Sequence, residues 1–252
     1  MKILSLNTQK AYNPNLQLFL RKTLESGRYD FLLLQEATEQ VLEYLRHSTE
    51  YGILTATDES VGGQSQLCIV HRTNIPLLSH KIKSFAGMRY DPVRGYKHLG
   101  FGALQAVFAY DGTEVCLSSV HLHSGIDAKV RQRELVVLKE LLHHMPKSSL
   151  TVVGGDFNFG YPWELPRAMR LLAPELVCVT RTLGGTLDSK YSEYANHLPN
   201  KVARLLAKFG LGVKLKADHF FASRELLETS DAACRKLSDR VSDHSPIELI
   251  IS

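Results

Sequence analysis

Leu150-Thr151-Val152-Val153-Gly154-Gly155-Asp156-Phe157-Asn158 is the stretch on which the fold turns. Its first four residues are an apolar run ended by turn signals, the pattern of a buried strand. Two glycines then let the backbone turn sharply before a carboxylate and a carboxamide one residue apart, which predicts that Asp156 and Asn158 point the same way. Toward the far end of the chain, Ser242-Asp243-His244-Ser245-Pro246 sets an acid beside an imidazole just before the apolar run 246–251. Both side chains should project from the leading end of a last strand. An oxygen ligand beside a proton carrier suits metal-assisted hydrolysis. Taken singly, the first string also fits an Asp/Asn turn and the second a helix cap or Asx turn, so their weight lies in combination.

Working outward, the 252 residues are 44% apolar and 22% charged, enough for a large core and no sign of disorder. The net charge of +4 is a mild basic excess, compatible with a polyanionic partner but far from a polycation. Cys68, Cys116, Cys178 and Cys234 show no CxxC spacing, and three lie in apolar strand-like runs, so reduced thiols and a cytoplasmic protein are expected. The N-terminal MKILSLNTQK is too short and too interrupted for a signal sequence. No apolar run of transmembrane length occurs.

Strands are predicted over 2–6, 31–34, 66–71, 103–110, 114–122, 150–153, 218–222 and 246–251, and helices over 16–25, 38–46, 127–145, 163–172 and 200–209. In the third helix, Ile126, Val130, Val137, Leu138, Leu141 and Met145 form an apolar stripe opposite Lys129, Arg133 and Glu140, which predicts that it lies on a sheet face. No repeat, low-complexity tract or linker divides the chain, so residues 1–252 are read as one domain of sheets covered by helices.

More polar groups sit at predicted strand ends. Asn7 follows the first strand, Gln35-Glu36 follows Phe31-Leu32-Leu33-Leu34, and His121 closes a strand with His123 as its same-face competitor. Asp218 enters the penultimate strand. Each alone is more often a packing or solvent-facing residue. Their order along the chain is more informative than any one of them.

That order resembles the endonuclease/exonuclease/phosphatase superfamily, the DNase I-like fold, across residues 3–250. The resemblance implies an α+β, four-layer αββα sandwich: two packed mixed β-sheets flanked by helices, with the site at one edge. It also implies a metal-dependent phosphoesterase. Glu36 resembles the principal metal carboxylate, with Asn7 and Asp243 completing an oxygen-rich shell suited to Mg²⁺ or Mn²⁺. His244 is read as the base and Asp218 as the acid that fixes its tautomer. Asp156 and Asn158 would hold the attacking water and phosphate oxygens, and His121 would donate to a phosphoryl oxygen or to the leaving group. Zinc is disfavoured by the mainly oxygen donor set, and no P-loop occurs.

Substrate is less legible. The segment 190–216 carries Lys190, Lys201, Arg204, Lys208, Lys214 and Lys216 against the single acid Glu193, which suits a phosphate backbone but equally a solvated helix face. Residues 88–98 mix Arg89, Arg94 and Lys97 with Tyr90 and Tyr96 in what reads as a loop, a composition suited to single-stranded nucleic acid. Lys201, Arg204, Lys208 and Arg94 are therefore the expected substrate contacts. The inositol 5-phosphatase and exonuclease III patterns are not matched, and no membrane-insertion hairpin stands out. The leading expectation is a phosphodiesterase or nuclease acting on a nucleic acid or nucleotide-like substrate by direct water attack. The alternatives are a phosphomonoesterase, a lipid or inositol-phosphate phosphoesterase, and a catalytically silent binding module.

Overall fold

The computed structural model describes residues 1–9, 12–57, 66–85, 88–91, 95–98, 102–123, 127–144, 150–188, 214–239 and 241–252, with 88–91 and 95–98 as backbone alone. One six-stranded mixed sheet contains β1 (Lys2–Asn7), β2 (Phe31–Ala37), β3 (Tyr51–Thr57), β4 (Gln66–Arg72), β15 (Ala232–Lys236) and β16 (Ile247–Ile251), ordered β15-β16-β1-β2-β4-β3. The other contains β5 (Leu77–Ser84), β8 (Gly102–Tyr110), β9 (Thr113–His121), β10 (Leu150–Asp156), β11 (Leu176–Cys178) and β14 (Asp218–Ser223), ordered β11-β14-β10-β9-β8-β5. Two short ribbons, β6 (Met88–Asp91) with β7 (Gly95–His98) and β12 (Leu187–Asp188) with β13 (Lys214–Leu215), form separate two-stranded sheets.

The run Phe31-Leu32-Leu33-Leu34 does not alternate with polar residues because both of its faces are covered. Phe31 and Leu33 pack between the sheets with Ile3, Leu117, Val152 and Phe220. Leu32 and Leu34 face outward with Leu4 and Leu6, under Leu16 and Leu20 of α1 (Pro14–Glu25) and Val41, Leu42 and Leu45 of α2 (Glu39–Arg46). On the far side, Val120, Val153 and Phe221 are covered by Leu135 and Leu138 of α3 (Ala128–His143) and by Ala168 and Leu172 of α4 (Glu164–Leu172). A short α5 (Arg224–Thr229) follows β14. This is the expected α+β four-layer sandwich. Among the described residues, no helix is long and apolar enough to cross a membrane.

Several expectations needed correction. The buried stripe of α3 is Arg131, Glu134, Leu135 and Leu138, with Leu141 only partly buried; Ile126 and Met145 lie outside the described residues. Its ion pair with the buried Glu164 lets Arg131 go inside. Residues 88–98 contain a two-stranded ribbon rather than only a loop, with Arg94 outside the described residues. The expected helix 200–209, with Lys201, Arg204 and Lys208, also lies outside them. β15 intervenes between β14 and β16, so Asp218 opens the third strand from the end. Cys68, Cys116, Cys178 and Cys234 are all free thiols.

The topology dictates where the site falls. β1 and β2 are parallel neighbours near the middle of one sheet, as β9 and β10 are in the other. Their C-terminal ends therefore emerge at one edge of the sandwich. β14 runs antiparallel to β10 and β16 antiparallel to β1, so the residues entering β14 and β16 arrive at that same edge.

Candidate active site

Strand register does the assembling. Asn7 pairs with Gln35 across β1 and β2, Asp156 pairs with His121 across β9 and β10, and Asp156 pairs with Asp218 across β10 and β14. The last residue of β10 thus sits between a histidine and an acid. Gly155 makes that approach possible: its φ is +148°, and a Cβ there would lie 2.0 Å from the Val120 carbonyl oxygen.

Asp156 is the hub. Its Oδ2 accepts a 2.8 Å hydrogen bond from Asn7 Nδ2 and lies 3.7 Å from both His121 Nε2 and His244 Nε2. Its Oδ1 accepts from the Asn158 backbone N–H at 2.8 Å. Burial pushes the Asp156 carboxyl up to about 6, against the pull of His244; Asp218 adds to the rise, while His121 and Asn7 moderate it.

His244 Nδ1 lies 2.8 Å from Asp218 Oδ2, and its Nε2 lies 3.8 Å from Asp243 Oδ1. The carboxylate accepts, so the proton is assigned to Nδ1, leaving Nε2 with the lone pair of the neutral ring. Burial opposes charging this imidazole, but Asp218, Asp156 and Asp243 outweigh it and raise its pKa well above the ordinary histidine value. Thr186 Oγ1 accepts from the backbone N–H groups of Ala217 and Asp218 at 3.2 and 3.0 Å, fixing the start of β14. Ser242 Oγ donates to the Asn7 carbonyl at 2.7 Å and accepts from the His244 N–H at 3.0 Å, tying the last loop to β1.

Glu36 is not beyond its strand, as expected, but within β2, at a register irregularity between Leu34 and Ala37. Its φ is +52°, and Thr8 Oγ1 secures its carbonyl at 2.9 Å. Its carboxylate lies 3.4 Å from Asn7 Nδ2 and 3.6 Å from His121 Nε2. Gln35 is fully buried, its amide donating to the Leu33 carbonyl and the Ser119 hydroxyl.

The expectation that Asp156 and Asn158 act side by side is only half met. Asn158 has left the strand with a φ of +51°, and its Nδ2 donates to the Leu122 carbonyl at 2.9 Å. The His121 ring reaches the site's acids, 3.6 Å from Glu36 and 3.7 Å from Asp156. The backbone of His123 donates to Glu134 Oε2 and accepts from Arg131 Nη1. Asn7, Glu36, His121, Asp156, Asp218, Asp243 and His244 are brought together.

Sequence reasoning missed Gln9 and Thr186 and treated Ser242 only as a possible cap. Gln9 Oε1 accepts from the Asp243 backbone N–H at 3.2 Å, while its buried Nε2 has no hydrogen-bond partner among the described residues. A lone Gln after a strand carries no signal of such a role.

Among the described residues, four carboxylates, Glu36, Asp156, Asp218 and Asp243, meet two imidazoles here. Buried negative charge in excess calls for a cation, and hard oxygen donors suit a divalent ion of the Mg²⁺ class. Asp156, Asp218 and His244 each offer an atom within 4.8 Å of the others. Asp218 and His244 already spend their facing atoms on each other, so Glu36, whose side chain is 16% exposed, is the better anchor.

The family model described as Endonuclease/Exonuclease/phosphatase family matches residues 4–244. No curated protein sequence matches the chain. Among solved structures, D. rerio TDP2 complexed with single strand DNA product is 20% identical with a TM-score of 0.74, covering 100% of this chain and 98% of that one. D. rerio TDP2 humanized by 14 mutations is 21% identical at 0.73, with the same coverage. An endonuclease/exonuclease/phosphatase from Bacteroides vulgatus is 14% identical at 0.70, also covering 100% and 98%. At these identities the likeness is one of fold.

Proposed function

The chain belongs to the endonuclease/exonuclease/phosphatase family of metal-dependent phosphoesterases, and from that premise we propose that it hydrolyses phosphodiester bonds in nucleic acid or a nucleotide-like substrate, using Mg²⁺ or Mn²⁺. The observation that carries this reading is the 2.8 Å Asp218–His244 contact at the sheet edge where Asn7, Glu36 and Asp156 converge.

In this reading Asp218 holds the imidazole so that Nε2 faces a water kept by Asp156, and Nε2 takes the proton as that water attacks phosphorus. The surrounding carboxylates favour the imidazolium that forms. His121, beside Glu36 and Asp156, donates to a phosphoryl oxygen or protonates the leaving oxygen. Asn158 holds the end of β9 through Leu122 and so positions His121. Glu36, Asn7 and Asp243 would hold the ion; Asn7 Oδ1 accepts from the Gln9 backbone N–H and keeps a second lone pair. A divalent cation there would polarise the phosphoryl oxygens and offset charge on the leaving oxygen. Nucleic acid is favoured as substrate by the fold shared with D. rerio TDP2, whose structure contains a single strand DNA product, and by the net charge of +4.

The test is hydrolysis of single-stranded DNA, duplex DNA, RNA, bis-p-nitrophenyl phosphate, p-nitrophenyl phosphate and an inositol phosphate, each with Mg²⁺ or EDTA. Cleavage of a nucleic acid, abolished by EDTA and reduced about 100-fold or more by Glu36→Gln, is the expected result. Activity confined to monoesters or inositol phosphates would overturn the substrate assignment, and a Glu36→Gln protein with most of its activity would overturn the metal assignment.

A further inference from the structure

Trp163 is the one tryptophan in the chain, and it is 58% exposed. A ring of that size left in water on a rigid element is a candidate contact surface. Tyr161 stacks on it with ring centroids 4.5 Å apart and planes 15° from parallel. No other ring contacts Trp163 among the described residues.

The turn that carries this stack is held firmly. Glu164 Oε2 accepts from the backbone N–H groups of Gly160 and Tyr161, each at 2.9 Å. Arg131 grips the same carboxylate in fork geometry, at 2.7 and 3.0 Å, and also donates to the His123 carbonyl at 3.1 Å. Both members of this ion pair are buried, and the guanidinium ties the aromatic turn to the chain two residues past His121. The rings are thus preorganised relative to the site, which lowers the entropy cost of binding.

Position and charge identify the occupant. Tyr161 lies five residues past Asp156, so the chain holds these two residues within at most about 18 Å of each other. Trp163, Arg167 and Arg170 fall at i, i+4 and i+7 along the start of α4, one face of the helix, and all three are exposed. The Arg167 N–H bonds to the Trp163 carbonyl at 3.2 Å, continuing the turn. Neither arginine forms an ion pair among the described residues, and the acid of this turn, Glu164, is buried with Arg131. Flat aromatic area followed by unpaired guanidinium groups matches a base followed by phosphates.

We propose that the Tyr161–Trp163 stack with Arg167 and Arg170 is a subsite for single-stranded nucleic acid, on which a base flanking the scissile phosphate stacks while the strand follows α4. This rests on the phosphodiesterase reading and names where its substrate lies. As the sole tryptophan, Trp163 reports on the subsite directly.

The experiment titrates Trp163 fluorescence with a single-stranded deoxyoligonucleotide in EDTA. It also measures binding of that strand, and of an abasic strand of equal length, to the wild-type, Trp163→Ala and Trp163→Phe proteins by anisotropy of a labelled end. The natural strand should quench Trp163. The wild-type protein should prefer it to the abasic strand about tenfold, Trp163→Ala should bind both alike, and Trp163→Phe should retain most of the preference. Unmoved emission at saturation, or an undiminished preference in Trp163→Ala, would overturn the subsite. Turnover of the same oligonucleotide with Mg²⁺ is the separate readout. Its absence fells the phosphodiesterase reading, whereas turnover with silent Trp163 fells the subsite alone.

Discussion

Asp218 Oδ2 meets His244 Nδ1 at 2.8 Å, while the other oxygen of the same carboxylate is buried with no hydrogen-bond partner among the described residues. A buried carboxylate normally distributes its charge over several donors. Here the imidazole receives most of that charge, so the contact acts on histidine basicity as well as orientation.

Replacing Asp218 with Asn keeps the shape and removes the charge. Turnover should fall by about 10²- to 10⁴-fold with KM nearly unchanged, because the wrong tautomer becomes accessible and the imidazolium loses its partner. The sign of the pH effect follows from the cause. Asp218 raises the His244 pKa, so its loss lowers that pKa, and the acidic limb of the kcat profile should move to lower pH. A raised KM with intact kcat would place Asp218 in substrate binding instead.

How far the sequence could be read depended on whether burial left a compositional trace. Phe31-Leu32-Leu33-Leu34 and Leu150-Thr151-Val152-Val153 announced central strands because both of their faces are covered. β5 left no such trace: it is an edge strand exposed along its whole length, and His80, Lys81 and Lys83 mask its pattern. Arg131 misled for the opposite reason. A basic residue on a helix reads as solvent-facing, and it is contacts from distant segments, the neutralising Glu164 carboxylate above all, that let it go inside. In the site, groups at strand termini were legible because unpaired polar groups after apolar runs are costly. The positive φ of Glu36 and the support from Gln9, Thr186 and Ser242 arise from pairings between distant segments, which no local pattern encodes.

Gly155 offers a test of how tightly the catalytic edge is built. Gly155→Ala places a methyl 2.0 Å from the Val120 carbonyl oxygen at a φ that side chains rarely adopt, so β9 and β10 must separate. The expected loss is about 3 kcal/mol or more, roughly 5–15 °C in Tm, with reduced kcat in the folded fraction because Asp156 and His121 are register partners. Thermal unfolding followed by circular dichroism measures it. An unchanged Tm would mean that the close approach is relieved at no cost.

Glu134 makes stability depend on pH. Burial raises its carboxyl from 4.5 to about 7, against the His123 N–H bond and the nearby Arg131 and Arg133. Between those pH values the folded chain keeps a proton that the unfolded chain has released, so this group makes stability fall as pH rises. Buried His219 works the other way: its pKa is pushed down to about 4, and from there to 6.5 the unfolded chain holds the extra proton, so stability rises with pH. The two effects oppose each other from about pH 4.5 to 6.5. Glu134→Gln removes the first and keeps an acceptor for the His123 N–H. Its stability advantage over the wild-type protein should therefore grow from pH 4.5 to 7 and then level off, reaching on the order of 3 kcal/mol. Melting curves of both proteins across this range decide the matter. A difference independent of pH would show that Glu134 is ionised in the folded chain throughout, and that Arg131 offsets its burial more fully than the geometry implies.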